Sequence, residues 1–315
     1  MTGSSPLKKQ LILMKNKVLK RLIYGLSTFI ITLSLFSFKS DPKKKAAAVD
    51  SSFKIKTVIV DPGHGNHHPS GTNGYYSKGA NGSYSYERDV TLAIAGKLQV
   101  AIEKQLTGVR AVMTRTTDDD VSWQRRAEIA NENKGDIFIS LHCNSLADRR
   151  VREVVGHKHH KPIYKTYSAP DRSGKGVLLL VYAAKRTKEE ENAIKQNQVE
   201  AEDAAISDAI ESNDPMQIIL INQFKVKFRK QSIHLANMIN NEFVQTDGRP
   251  SDGLREQSLY LLCHSAMPSV LVEMGYINNP DDEAYMNSEK GQNEIVDSIV
   301  RAISNYKDEV EQVSK

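Results

Sequence analysis

The chain has 315 residues, with 43 Lys and Arg against 38 Asp and Glu, a formal charge of +5, two cysteines and a mean hydropathy of −0.46. These values exclude a polytopic membrane protein, a disulfide-stapled miniprotein, a collagen-like chain and a wholly disordered one. The charge is unevenly placed: residues 1–45 hold ten bases and one acid, +9, which leaves −4 for the remainder. A nucleic-acid partner for the folded part is not expected on that distribution.

In chain order, a basic cluster ending at Arg21 precedes the uncharged run Leu22–Phe38, LIYGLSTFIITLSLFSF, and charges resume at Lys39. A basic segment followed by an apolar one of this length has the form of a secretion signal. The expectation is export to the periplasm or cell envelope, with cleavage of the segment. The alternative is an uncleaved anchor in the inner membrane, because SDPKKKAAAVDSS offers no clean small-x-small cleavage site close behind. A buried core helix is disfavoured, since the run has no polar face. Translation could start at Met1 or Met14. Residues 1–45 are thus read as signal or anchor plus basic linker, and 46–315 as one folded domain.

Beyond residue 50, strand-like runs alternate with helical patterns, the signature of an α/β fold: a single twisted, mostly parallel sheet flanked by helices. Thr57–Val60 reads as a strand, followed by a Gly- and Asn-rich loop from Asp61 to about Tyr86. Val90, Ile94, Leu98, Ala101 and Leu106 recur at helical spacing behind Asp89, the expected N-cap. Next come a strand at Ala111–Thr114, a short helix at Trp123–Asn131 opened by Ser122, and strands at Ile137–Leu141, Gly176–Tyr182 and Ser269–Val272. A closing helix runs from Asn287 to about Tyr306. Residues 146–175, polar and basic, read as a solvated loop. Residues 185–215, rich in Glu, Asp, Gln and Ala, read as a helical insertion before the last strands that packs weakly. Cys143 and Cys263 read as two buried free thiols.

Three short motifs sit where strands or helices begin or end, which is where sites in α/β sheets form. They are Asp61-Pro62-Gly63-His64-Gly65, Tyr86-Glu87-Arg88-Asp89 and Ser140-Leu141-His142-Cys143-Asn144. Taken singly, a histidine at a strand end is more often a hydrogen-bonded structural residue, and Glu87 could simply be a charge favoured by a helix N-terminus. Together, two histidines and a carboxylate make the three-ligand set of a catalytic zinc with a position open for water. Glu273, closing an apolar strand, suits proton transfer beside such a water.

The ordered set VIVDPGHG (58–65), GANGSYSYERDV (79–90), TRTTDDDVSWQRRAEIAN (114–131), DIFISLHCNS (136–145) and MPSVLVEMGYINNP (267–280) resembles the zinc-dependent N-acetylmuramoyl-L-alanine amidases of the amidase-3 type. The resemblance covers roughly residues 54–307. It implies one zinc ion held by His64, Glu87 and His142, and Glu273 as general base and then acid. It implies hydrolysis of the amide between N-acetylmuramic acid and L-alanine in peptidoglycan, for wall remodelling or daughter-cell separation, by a monomer. Asn144 is a candidate to orient a ligand or substrate carbonyl, or else a turn residue at the strand end. A wall-peptide carboxypeptidase is the alternative among zinc enzymes. A silent wall-binding protein is disfavoured because all four positions are filled.

The chain departs from the family's pattern in places. The loop NHHPSGTNGYYSKGANG after His64 is longer and more aromatic, and its His67 and His68 read as surface residues rather than surrogate ligands. Met274 and Tyr276 replace the usual residues and bear on the shape of the pocket. The insertion at 185–215 resembles the helix that in division-associated members covers the zinc cleft until an activator protein displaces it, with an acidic residue on the metal. Glu189, Glu190 and Glu191 are the candidates for that residue; a solvated acidic helix is the equal alternative.

Overall fold

The computed structural model describes residues 54–67, 76–183 and 215–313. Its elements are β1 (Thr57–Pro62), α1 (Glu87–Gln105), β2 (Arg110–Met113), α2 (Trp123–Glu132), β3 (Ile137–Asn144), β4 (Arg149–Lys158), β5 (Lys161–Ala169) and β6 (Val177–Tyr182). They continue with α3 (Pro215–Asn241), which runs into a π-turn at Glu242–Thr246, then β7 (Ser251–Gln257), α4 (Tyr260–His264), β8 (Ser269–Tyr276), α5 (Pro280–Asn287) and α6 (Glu289–Val313). The six-stranded sheet has the order β2-β1-β3-β8-β6-β7. Strands β2, β1, β3 and β8 are mutually parallel; β6 runs antiparallel to β8, and β7 parallel to β6.

The inner strands are apolar on both faces because both faces are covered, as parallel sheets require. The two-residue alternation of side chains then sorts them into two cores. Val58, Val60, Ile139, Leu141, Val270 and Val272 pack with Ile94 and Leu98 of α1, Leu235 and Ile239 of α3, and Ile295 and Ile299 of α6. Ile59, Phe138, Leu178, Leu180 and Leu271 face the other way, against Ala127 and Ala130 of α2 and Leu261 and Leu262 of α4. Ile139 is fully buried, so Ile139→Ala costs about 2–5 kcal/mol. At the sheet edge, β7 reads SDGLREQ and is largely exposed, a polar strand that discourages further pairing. By the same alternation Asp61, Ser140, His142 and Glu273 fall on the α2/α4 face, at the C-terminal ends of β1, β3 and β8.

Two sequence expectations are corrected. Residues 146–175 are not a loop throughout, since β4 and β5 form a separate antiparallel hairpin. Its β-branched and aromatic residues Val151, Val154, Ile163, Tyr164 and Tyr167 favour extended backbone. Its two-residue turn places His159 and His160 at φ 48° and 64°, the left-handed pair that matches strand twist. The N-cap of α1 is Tyr86 rather than Asp89, with no side-chain cap, because Glu87 turns inward and Asp89 lies inside the first turn. Ser122 does cap α2, its Oγ accepting from Arg125 N. Both cysteines are buried thiols outside any disulfide. The apolar run Leu22–Phe38, His68 and the insertion with Glu189, Glu190 and Glu191 lie outside the described residues. Among the described residues no helix is long and apolar enough to cross a membrane.

Candidate metal centre

Three elements each deliver one donor atom to a single point. His64 lies two residues past β1, Glu87 opens α1 and His142 is near the end of β3. His64 Nε2 stands 3.1 Å from Glu87 Oε1 and 3.1 Å from His142 Nδ1, and His142 Nδ1 stands 3.0 Å from Glu87 Oε1. Donor atoms about 2.0–2.1 Å from a tetrahedral zinc are separated by little more than this, so the spacing and the N/N/O chemistry fit that ion. The His64 Nδ1–H donates to Ser77 O at 3.0 Å, which fixes the tautomer and leaves the Nε2 lone pair facing the cluster.

The protonation states also suit a cation. Glu87 is buried, which by itself would raise its pKa. The ring nitrogens of His142 and His64 against its carboxylate more than offset this and hold it well below the ordinary carboxylate range. Backbone N–H groups of Ala80 and Cys143 add donors at 2.7 and 2.9 Å. His142 is pushed down, first by burial and then by the neighbouring His64, against the pull of Glu87, so its imidazole is neutral near pH 7. Two glycines make the close approach possible. A Cβ on Gly63 would sit 2.3 Å from His142 Cε1, and one on Gly79, at φ 76°, would sit 2.7 Å from Glu87 Oε2.

Glu273 is the register partner of His142 across β3 and β8. Its Oε2 is buried with no hydrogen-bond partner, and its pKa is pushed up to about 8, by burial first and then by the Glu87 charge. A carboxyl group kept without a partner beside a donor cluster is poised to exchange protons.

Behind the cluster lies a buried ionic lattice. The Arg126 guanidinium, 2% exposed, donates to Asp61 Oδ1, Asp120 Oδ1, Pro62 O, His64 O and Val121 O. Asp61 also accepts from Ser140 and Thr114. Burial alone would raise the Asp61 pKa, and Arg126 with those hydroxyls more than offsets this and holds it low. Arg115 donates to the Pro62 and Gly63 carbonyls. Together the two arginines grip the backbone that presents His64 at φ 60°. On the far side, Glu283 of α5 accepts from the backbone N–H groups of Ser83, Tyr84 and Ser85, pinning the loop that leads into Glu87.

Sequence reasoning assigned no role to Arg126, Arg115 or Glu283. The available signal was a charged residue on the same α2 face as Ala127 and Ala130. A cavity of about 110 Å³ opens beside the histidines, lined by Trp123, Leu259, Tyr260, Leu261 and Leu271 together with His64 and His142. Its aromatic residues were also unassigned. Other sequence candidates stand apart: the His67 side chain is 74% exposed, near Asp118, and Asn144 Oδ1 accepts from its own neighbour, Ser145 N. Met274 is buried within the α1 core, and Tyr276 donates its hydroxyl to Asp252, so neither lines the cavity.

Comparison with known proteins gives a consistent picture. Residues 58–305 match the Amidase_3 family, N-acetylmuramoyl-L-alanine amidase. The chain is 24% identical over 254 residues to the uncharacterized protein YqiI of Bacillus subtilis, covering 81% of this chain and 86% of that one. It is 24% identical over 275 residues to the N-acetylmuramoyl-L-alanine amidase AmiA of Salmonella typhimurium, covering 87% and 82%. Among solved structures, the N-acetylmuramoyl-L-alanine amidase of Clostridium difficile 630 shares the fold with a TM-score of 0.52 at 22% identity, over 81% of this chain and 98% of that one.

Proposed function

Since this chain belongs to the Amidase_3 family of N-acetylmuramoyl-L-alanine amidases, we propose that it hydrolyses its peptidoglycan amide with one zinc ion held by His64, Glu87 and His142. The observation that carries this reading is the unpartnered Glu273 carboxyl set against the His64–Glu87–His142 cluster on one sheet edge. When bound, zinc supplies a Lewis acid for the amide carbonyl and brings the pKa of a water to near 7.

The chain's residues do the rest. Glu273 Oε2 accepts a proton from the water that attacks the lactyl carbonyl carbon. It then passes that proton to the L-alanine nitrogen as the C–N bond breaks, leaving a lactyl carboxylate and a free stem-peptide amine. Trp123 and Tyr260 wall the adjoining cavity and offer apolar faces to sugar or peptide. Arg126 and Arg115 hold the His64 backbone so that binding need not organise it.

The test is to digest purified peptidoglycan with the protein and identify products by mass spectrometry. Stem peptides beginning with L-alanine appear, and vanish with chelator or with Glu273→Ala. Product that survives Glu273→Ala sinks the assigned role, and loss of a terminal amino acid instead indicates a carboxypeptidase. Residues 1–45 are read as an export signal or inner-membrane anchor on a periplasmic or envelope enzyme, in line with wall-directed relatives. Residues 185–215 are read as a cover for the zinc cleft, with Glu189, Glu190 or Glu191 on the metal until an activator displaces it during daughter-cell separation. Deleting 186–212 then raises activity on sacculi; unchanged or lost activity counts against that role.

A further inference from the structure

The β4–β5 hairpin is the part of the described fold that neither the sheet nor the metal cluster uses. Residues 149–169 carry six Lys or Arg and one Glu, a net +5, on a portion beyond residue 45 that sums to −4. The basic side chains are exposed. By strand register Arg150 and Arg152 share one face, while Lys161 and Lys165 lie on the other. Interleaved with them are Val154, Val155, Ile163, Tyr164 and Tyr167, each between 42% and 53% exposed. Arg152 lies 3.7 Å over the Tyr164 ring. Clustered apolar exposure of this kind marks an interaction surface more often than a neutral one.

The hairpin is rooted at the catalytic edge of the sheet. Arg149 follows Asn144, the last residue of β3, by five positions. Asn278 donates to the carbonyls of Leu146 and Asp171, and Asn279 donates to that of Arg172. Both feet of the hairpin are therefore tied to the chain just past β8, the strand that carries Glu273. Ten residues of strand extend about 33 Å, so the arm is long enough to contact polymer well away from the scissile bond.

We propose that this hairpin is a substrate-holding arm that binds the glycan strand through the free carboxylates of stem peptides flanking the one being cleaved, with Tyr164 and Tyr167 against apolar sugar or peptide faces. Charge complementarity favours this occupant, because peptidoglycan with intact stems is a polyanion and this is the basic segment at the catalytic edge of an otherwise acidic domain. The inference rests on the amidase reading.

The experiment compares the full chain with the exposed-residue variant Arg150→Ser/Arg152→Ser/Lys161→Ser/Lys165→Ser. Three quantities are read: co-sedimentation with purified sacculi across a salt series, binding to phosphatidylglycerol vesicles, and turnover of a small soluble muramoyl peptide. The expected result is about a tenfold or greater loss of sacculus affinity with a shallower salt dependence, and unchanged turnover of the soluble substrate. Sacculus binding within twofold of wild type overturns the proposal. So does a loss confined to vesicles, which assigns the hairpin to lipid, or a parallel fall in soluble turnover, which assigns these residues to the site or the fold. If the muramoyl amide stays intact even with residues 186–212 deleted, the amidase reading fails, while sedimentation still reports on the arm.

Discussion

Replacing Arg126 with Met tests whether the buried lattice prepares the metal site. The guanidinium is 2% exposed and spans two carboxylates and three backbone carbonyls, one of them that of His64. Removing it leaves Asp61 and Asp120 buried without their cation, which costs about 3–5 kcal/mol, against a total stability of about 5–15 kcal/mol. Arg126→Lys keeps the charge but cannot reach all five acceptors, so it recovers only part of the loss. Because the His64 carbonyl loses its tether, zinc affinity falls about 10–100-fold in either variant. Denaturant unfolding and chelator competition measure the two effects separately.

The pH dependence follows from the low Asp61 pKa. A carboxylate depressed on folding contributes stability above its unfolded value, and that contribution is lost as pH falls through the folded one. Without Arg126, burial raises Asp61 instead, so the stability gap between wild type and Arg126→Met begins to narrow as pH falls through that raised value and narrows further below about pH 4, where wild type loses its own contribution. A Met variant within 1 kcal/mol of wild type at pH 7, with unaltered zinc affinity, refutes this reasoning.

Three further outcomes are expected. Gly63→Ala puts a Cβ 2.3 Å from His142 Cε1; the displaced ring lowers zinc affinity about 10–100-fold, and unchanged chelator competition contradicts this. Glu273, at about 8 without metal, is protonated at pH 7 and ionises when a dication arrives. Calorimetry in buffers of different ionisation enthalpy therefore shows more proton release on zinc loading of wild type than of Glu273→Gln; equal release argues that Glu273 does not sense the metal. Glu283→Gln weakens charge-assisted bonds to Ser83, Tyr84 and Ser85, so amide exchange there accelerates by the equivalent of about 1.5–3 kcal/mol, and unaltered exchange contradicts the pinning role.

What could be read from residue order, and what could not, follows from burial. Strands β1, β3, β6 and β8 announce themselves because both faces meet helices and their runs are continuously apolar. The motif residues were legible because glycine, histidine and carboxylate sit at the ends of those runs. The β4–β5 hairpin was missed because both of its faces are exposed, so no apolar/polar alternation marks it. The edge strand β7 was hidden by its polarity in the same way. The α1 boundary shifted because Glu87 is drawn into the cluster, a tertiary demand that overrides the local preference for Asp89 as cap. Arg126 carried no motif of its own; its role exists only once β1, α2 and the loop before α2 are packed together.

The central claim is that His64, Glu87 and His142 hold one zinc ion beside Glu273. Anomalous diffraction at the zinc edge from metal-loaded crystals tests it most directly. The expected result is a single peak per chain within bonding distance, about 2.0–2.2 Å, of His64 Nε2, Glu87 Oε1 and His142 Nδ1, with Glu273 facing the remaining position. A peak elsewhere, or one that leaves any of these three donors unbound, contradicts the account.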